Sequence, residues 1–340
     1  MSIRLRVAYE TYHRSHEHSS TTIKDYHTAL NHWERLTDDP PIDQVTNLTC
    51  RQFKEAMLST PPPGQPPLRP ATILKYMREL QAIFATLGPC GPQNKQGLGL
   101  LPSVPCFPSL RLDDPNVITA EDAEIAAILQ HCAVATWPNR VIEMHSRRVV
   151  LVHPPEWWLN LILYLGTFGS RRNEFLRLRC EDVDIERARL TLDPAKHGER
   201  NWKPIPRELL PYFAAFLSEP RELFFAAPRC VKLLYRQWHQ IQQAAGIHVR
   251  RAAGSTRRPY YGFHELRKTC GTAWAAVSPA AGKHMLGHKS QQVFDRCYTN
   301  SNAVAQRSIA AFPSPTALLT GTEPAAPFRS TVSTLTIFSG

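Results

Sequence analysis

At 340 residues the chain is long enough to bury more than one sizeable core without covalent staples. Its 40 Lys and Arg outnumber 29 Asp and Glu, giving a formal net charge of +11 and a pI near 9.4. That balance draws the chain toward a polyanion, though charge alone does not separate DNA from RNA or from an anionic membrane. No apolar run reaches the roughly 18 residues of a membrane span, and Met1-Ser2-Ile3-Arg4-Leu5-Arg6-Val7 lacks the apolar core of a secretory signal. The expectation is a cytoplasmic protein, nucleoid-associated if prokaryotic, with no membrane partner.

Residues 1–19 read as a polar, histidine-rich extension. From residue 20 to 88 the pattern is helical. Ile23, Tyr26, Leu30 and Trp33 recur at helical spacing, as do Ile73, Met77, Leu80, Phe84 and Leu87, and each set makes one apolar stripe. Between them, Thr49-x-x-Gln52 predicts a capping box ahead of Phe53 and Met57. Pro61-Pro62-Pro63-Gly64-Gln65-Pro66-Pro67 reads as loop.

Residues 89–117 are rich in Pro and Gly and predict a linker. Thr119-Ala120-Glu121-Asp122 predicts the cap of a helix carrying Ile125, Ile128 and Leu129, which opens a second domain over 118–312. Residues 133–155 separate that helix from the next and suggest no function. The apolar run Trp158 to Leu165 predicts a buried helix ending at Gly166 and Gly169. Arg189–Asp193 and Trp202–Pro206 flank a polar, glycine-bearing stretch, which predicts a β-hairpin. The tail, 313–340, is expected to be extended. The eight cysteines form no metal-finger spacing and read as reduced thiols. Cys297 beside Tyr298 reads as a small packing residue.

The chemistry lies in six side chains between residues 171 and 298. They sit in Phe168-Gly169-Ser170-Arg171-Arg172-Asn173-Glu174, Lys196-His197-Gly198-Glu199-Arg200, His264-Glu265-Leu266-Arg267, Leu286-Gly287-His288 and Tyr298. A phosphodiester under attack gathers charge on its non-bridging oxygens. Without a metal, fixed donors must meet that charge, and guanidiniums match it in pairs. Arg171 and Arg267 fit this role. A tyrosine hydroxyl, with a reference pKa of about 10, attacks only beside a base or in a strongly positive pocket, which His264, His288 and the arginines would supply. Lys196, on a hairpin turn, could protonate the departing sugar oxygen. Lys203 and Arg200 lie on the same hairpin and keep that last assignment open. Singly, each residue has a plainer reading: a solvated charge, a capping or structural histidine, a core tyrosine.

In this order and spacing the residues resemble the tyrosine recombinase, or phage integrase, family. The resemblance covers roughly residues 20 to 312, with its specific motifs between 166 and 300. It implies a mainly α fold with a small antiparallel β-sheet (α+β). A helical, SAM-like core-DNA-binding domain over 20–88 would precede the catalytic domain. It further implies a site-specific recombinase acting on double-stranded DNA through a 3′-phosphotyrosyl intermediate at Tyr298, with Arg171, Lys196, His264, Arg267 and His288 completing the catalytic set. No cofactor and no metal are implied. The family pattern further suggests a homotetramer on two DNA sites, with residues 313–340 exchanged between protomers, and a mobile element integrated or excised. Two alternatives stay open: a type IB topoisomerase-like nicking and closing enzyme, and a catalytically silent DNA-binding protein on the same fold. This chain places ten positions between His288 and Tyr298 where nine is commoner, and Ser278-Pro279 interrupts the helix pattern.

Overall fold

The computed structural model describes residues 3–304 except 14–17, 62–65, 93, 96, 113–116, 144–146, 193–200, 219–220, 229, 250–258 and 302. The chain divides into two compact units, Met1–Asp114 and Pro115–Gly340.

The first unit is helical: α1 (Leu5–Ala8), α2 (Ser20–Thr37), α3 (Asn47–Ser59) and α4 (Pro70–Leu87). Both sequence stripes fall on buried faces. Tyr26, Leu30 and Trp33 of α2 meet Phe53 and Met57 of α3 and Ile73 to Leu87 of α4 in one apolar core. Three expectations change here. Of residues 1–19, expected as a polar extension, the stretch 5–13 is packed: Leu5, Ala8 and Tyr9 are fully buried in that core and His13 is buried with Nδ1 2.8 Å from Thr86 Oγ1. The capping box of α3 lies one turn earlier than Thr49-Gln52: Thr46 is the N-cap, and its hydroxyl and that of Thr49 each accept the other's backbone N–H. The stretch expected as linker over 89–117 belongs largely to this unit. Leu101 is buried and Phe107 packs against Trp33, Phe53 and Phe84, with ring centroids 5.8 to 6.4 Å apart. Apolar side chains in a Pro-rich segment outweighed its composition.

The second unit runs α5 (Asp122–Gln130), β1 (Arg140–Ile142), β2 (Val149–Leu151), α6 (Pro154–Phe168), α7 (Arg172–Phe175), β3 (Val183–Asp184), β4 (Arg189–Leu192), β5 (Asn201–Pro204), α8 (Leu210–Phe216), α9 (Val231–Ala244), α10 (Phe263–Val277), α11 (Pro279–Leu286) and α12 (Gln291–Tyr298). Among the described residues the fold is mainly α with two small antiparallel sheets, β1-β2 and β3-β4-β5. Within residues 133–155, without a role in the sequence reading, Arg140–Ile142 and Val149–Leu151 pair as the antiparallel strands β1 and β2. Val141 and Val150 enter the core while Ile142, Val149 and Leu151 face outward.

Helix α6 is the central rod. Its side chains from Leu161 to Leu165 are all buried, as a helix apolar on every side requires. Trp158 donates its indole N–H to Trp137 O at 2.6 Å and stacks on Trp238 of α9, ring planes 5° apart. The same α9 fixes the entry to α10: Trp238 and Gln242 donate to Tyr261 O at 2.5 and 3.0 Å, and Tyr261 N donates to Gln242 Oε1 at 2.7 Å. Helix α10 is tied to the end of α6 by Trp274 Nε1 and Cys270 Sγ, which share Thr167 O. Ser278-Pro279 is a junction between two helices. The Ser278 hydroxyl accepts from Ala281 N, and Pro279 opens α11 where its missing N–H costs nothing.

Gly169 ends α6 at φ +57, and a Cβ there would lie 3.1 Å from Cys270 Sγ and 3.2 Å from Leu286 Cδ1. A left-handed residue with a Cβ costs about 1–2 kcal/mol, and the close contacts add to it. Gly169→Ala is therefore expected to lower stability by at least that amount. Urea unfolding of the two proteins measures it; equal midpoints would exclude the strained turn.

Candidate active site

The turn after α6 places Arg171 at the N-cap of α7. Arg171 is exposed, and Glu174 holds it from below: Glu174 Oε2 accepts Arg171 N at 2.6 Å and Oε1 accepts Arg171 Nη1 at 2.9 Å. Glu174 Oε2 also lies 3.9 Å from Arg267 Nη1, so one carboxylate stands between both arginines. The backbone and side-chain donors of Arg171, with the charge of Arg267, outweigh burial and hold the Glu174 carboxyl below its usual range.

Helix α10 presents His264 and Arg267 one turn apart. Arg267 is 1% exposed. It donates through Nη1 to Gly169 O and through Nη2 to Leu286 O, both at 2.6 Å, and Nη2 lies 3.0 Å from His288 Nε2. A guanidinium only donates, so Nε2 accepts and carries no proton. Its Cζ stands 5.2 Å from the Tyr298 ring centroid. Much of the fork that the sequence reading aimed at a phosphate is thus engaged on backbone carbonyls. Arg171 keeps the open position.

Tyr298 is the last residue of α12 and is buried. Its ring centroid lies 5.5 Å from that of His264 and 4.2 Å from that of His288, so the longer His288–Tyr298 spacing still closes the site. The tyrosine is fixed from behind as well. Thr272 Oγ1 donates to Tyr298 O at 3.1 Å and accepts Asn300 N at 3.0 Å, while Asn300 Nδ2 donates to Val117 O and Thr119 Oγ1. Gly271 lets α10 approach this closely, since a Cβ there would lie 3.1 Å from Tyr298 O. Cys297 is a partly buried packing residue of the same core, and all eight cysteines are free thiols.

Lys196 lies outside the described residues. Lys203, its neighbour on the hairpin, is buried and donates to Met285 O. A solvent-facing phosphate contact is therefore not its role in this structure. Burial, and after it the charge of Arg267, lower the Lys203 ammonium to about 8.

Five of the six sequence candidates thus converge. The reading missed the buried state of Lys203, and the helper residues Glu174, Thr272 and Asn300 had no assigned role. A glycine in mid-helix beside Thr272 was the available signal for the last pair. Among the described residues no His, Cys, Asp or Glu group could hold a metal ion, and no helix is long and apolar enough to cross a membrane.

Residues 123–304, more than half of the chain, match the model of the phage integrase family. The chain belongs to that family. It is accordingly a site-specific tyrosine recombinase, an enzyme that cuts and rejoins DNA. No curated protein matches the chain. Among solved structures, lambda integrase (75-356), captured as a dimer bound to a COC′ core site, is similar at 15% identity, with 88% of this chain and 96% of that one covered and a TM-score of 0.62. The Tn1549 transposon integrase, in complex with a circular intermediate DNA, is similar at 14% identity over 91% of this chain and 100% of that one, TM-score 0.61. A lambda integrase tetramer bound to a Holliday junction is 15% identical over 86% and 77% of the two chains, TM-score 0.58. At these identities the likeness is one of fold.

Both histidines are held neutral. Partial burial, followed by Lys268 and Arg267, lowers His264, and burial, followed by Arg267 and Arg171, lowers His288 to about 4. The unfolded chain binds a proton at His288 near 6.5, but the folded one only near 4. Stability from this residue is therefore complete above about pH 6.5 and lost as pH falls toward 4. His288→Gln removes that part of the slope. Urea midpoints at pH 7 and pH 5 are expected to differ less in the variant than in the wild type, and parallel shifts would contradict the assignment.

Proposed function

We propose that Tyr298 is the nucleophile of this recombinase, forming a 3′-phosphotyrosyl link and leaving a free 5′-hydroxyl, in the course of integrating or excising a mobile element. The observation that carries this is the convergence on one tyrosine ring of His264 and Arg267 from α10 and of His288 from the turn after α11. The neutral imidazole of His264 can accept the phenolic proton at physiological pH, while the acceptor nitrogen of His288 is engaged by Arg267. Arg171, exposed at the head of α7 and seated on Glu174, is the donor to the non-bridging oxygens. Arg267 acts mainly through its field and by fixing the catalytic groups. Lys196 is the proposed acid for the 5′-oxygen.

The chain is proposed to work as a homotetramer on two double-stranded DNA sites, with residues 20–88 forming the core-DNA-binding domain and 118–312 the catalytic one. The lambda tetramer on a Holliday junction supports this assembly. Net charge of +11 suits the partner. No metal or cofactor takes part in the proposed chemistry, because the positive charge comes from arginine and the bond energy is kept in the phosphotyrosyl ester. A nicking and closing enzyme shares the chemistry, but no observation favours it.

A duplex nicked near the cleavage site traps the covalent protein-DNA band. Tyr298→Phe is expected to bind this DNA as the wild type does and to form no adduct; an adduct in that variant moves the nucleophile elsewhere.

Removing a fixed donor to a developing oxyanion costs roughly a hundred- to a thousandfold in rate. Arg171→Ala is expected to slow single-turnover cleavage by about that factor while affinity changes far less, since many basic residues share the DNA backbone. Equal losses in both would reduce Arg171 to an ordinary phosphate contact.

A further inference from the structure

Lys203 has no part in that chemistry, yet its placement is unusual. In the β4-β5 pairing it stands opposite Leu190, on the face that alternation turns inward, and it is 5% exposed. An ammonium on a buried strand face is unfavourable unless something holds it. The C-terminal end of α11 does.

A helix leaves its last four carbonyls without intrahelical partners. In α11 all four are accounted for. His288 N donates to Lys283 O and Gly287 N to His284 O, both at 2.9 Å, around a left-handed Gly287 at φ 67. The remaining two carbonyls accept from cations: Met285 O from Lys203 Nζ, and Leu286 O from Arg267 Nη2 at 2.6 Å. The negative end of the helix dipole favours both. The nitrogen that grips Leu286 is also the one 3.0 Å from His288 Nε2. The turn that ends α11 therefore sets where His288 stands.

We propose that Lys203 is a positioning residue for strand cleavage: by holding the Met285 carbonyl it seats the last turn of α11, and so keeps His288 against Arg267 and the Tyr298 ring. This rests on the reading of Tyr298 as nucleophile. It separates the two hairpin lysines, since a lysine buried in the protein and engaged on a backbone carbonyl is not the group that meets a departing sugar oxygen. The groups facing Lys203 are Arg267 and Cys270 from α10, Glu174 and Arg171 from the α7 turn, Leu190 from β4 and the Met285 carbonyl from α11. Of the titratable groups, Glu174 and Cys270 favour the ammonium, as does the Met285 carbonyl, while burial and the two arginines oppose it. As pH rises through about 8 the lysine becomes neutral and its hold changes from charge-assisted to ordinary.

The test compares full-length wild type, Lys203→Met and Lys203→Gln in single-turnover cleavage of a nicked duplex, and of the same duplex with sulfur as the bridging 5′ atom. The His288 ring is titrated by NMR in each protein. A misplacement of this kind costs on the order of a hundredfold, so Lys203→Met is expected to lose about that much on both substrates alike. DNA affinity should be kept, and His288 should titrate nearer 6.5 than its wild-type value of about 4. Lys203→Gln keeps a donor and should recover part of the rate; it carries the same readouts if the methionine variant fails to fold. Normal cleavage by both variants with His288 unmoved overturns the proposal. Selective rescue of either variant by the sulfur substrate also overturns it, by making Lys203 the acid. An adduct surviving in Tyr298→Phe, run alongside, would instead defeat the reading of the nucleophile, whatever Lys203 does.

Discussion

The buried guanidinium of Arg267 is the contact on which the catalytic unit depends. From one residue of α10 it reaches the turn after α6, the end of α11, the His288 ring and the Tyr298 ring. A charge this far from water needs partners, and both terminal nitrogens have them. Satisfying it brings four segments, far apart in sequence, to one point. Because guanidinium geometry is planar and fixed, it also sets the angles at which they meet. Glu174, 3.9 Å away, keeps the charge of the cluster from accumulating.

The electrostatics follow from that arrangement. Burial first, and the neighbouring cations after it, make imidazolium unfavourable, so His264 and His288 stay neutral where an isolated histidine would be partly charged. The field that would stabilise a phosphate thus adds to burial in keeping both imidazoles unprotonated. The neutral imidazoles and the electropositive pocket come from the same few residues. The arrangement also explains why an acidic residue, Glu174, sits amid the cations: its carboxylate orders Arg171 while leaving that side chain exposed.

Much of this was legible in the sequence, and the gaps have physical causes. The stripes of α2 and α4 and the buried run of α6 were readable because helical period and burial coincide there. The order Arg171, His264, Arg267, His288, Tyr298 was readable because each side chain has a chemical reason to be present. Residues 89–110 were misread: Pro and Gly signal loop geometry but do not exclude packing, and Leu101 and Phe107 decided the matter. The start of the chain was misread for a similar reason, since Leu5, Ala8 and Tyr9 are too few to form a stripe yet enough to fill a gap. Thr46 lost the N-cap of α3 to Thr49 in the reading because both are threonines and only backbone geometry tells them apart. The burial of Lys203 was unreadable, because its reason is a helix end 82 residues away. Lys196 and the tail at 313–340 lie outside the described residues, so the structure adds nothing to either.

The seat of Tyr298 bears on how mechanical load would travel through a covalent complex. Its carbonyl is bonded to Thr272 in the middle of α10, and the next residue but one, Asn300, is bonded to Val117 and Thr119 at the entrance to the unit. A DNA strand attached to this tyrosine would pull on a helix braced against α6, with a second line of resistance at the entry segment. Tension from a swivelling duplex would therefore be borne by the core of the catalytic unit.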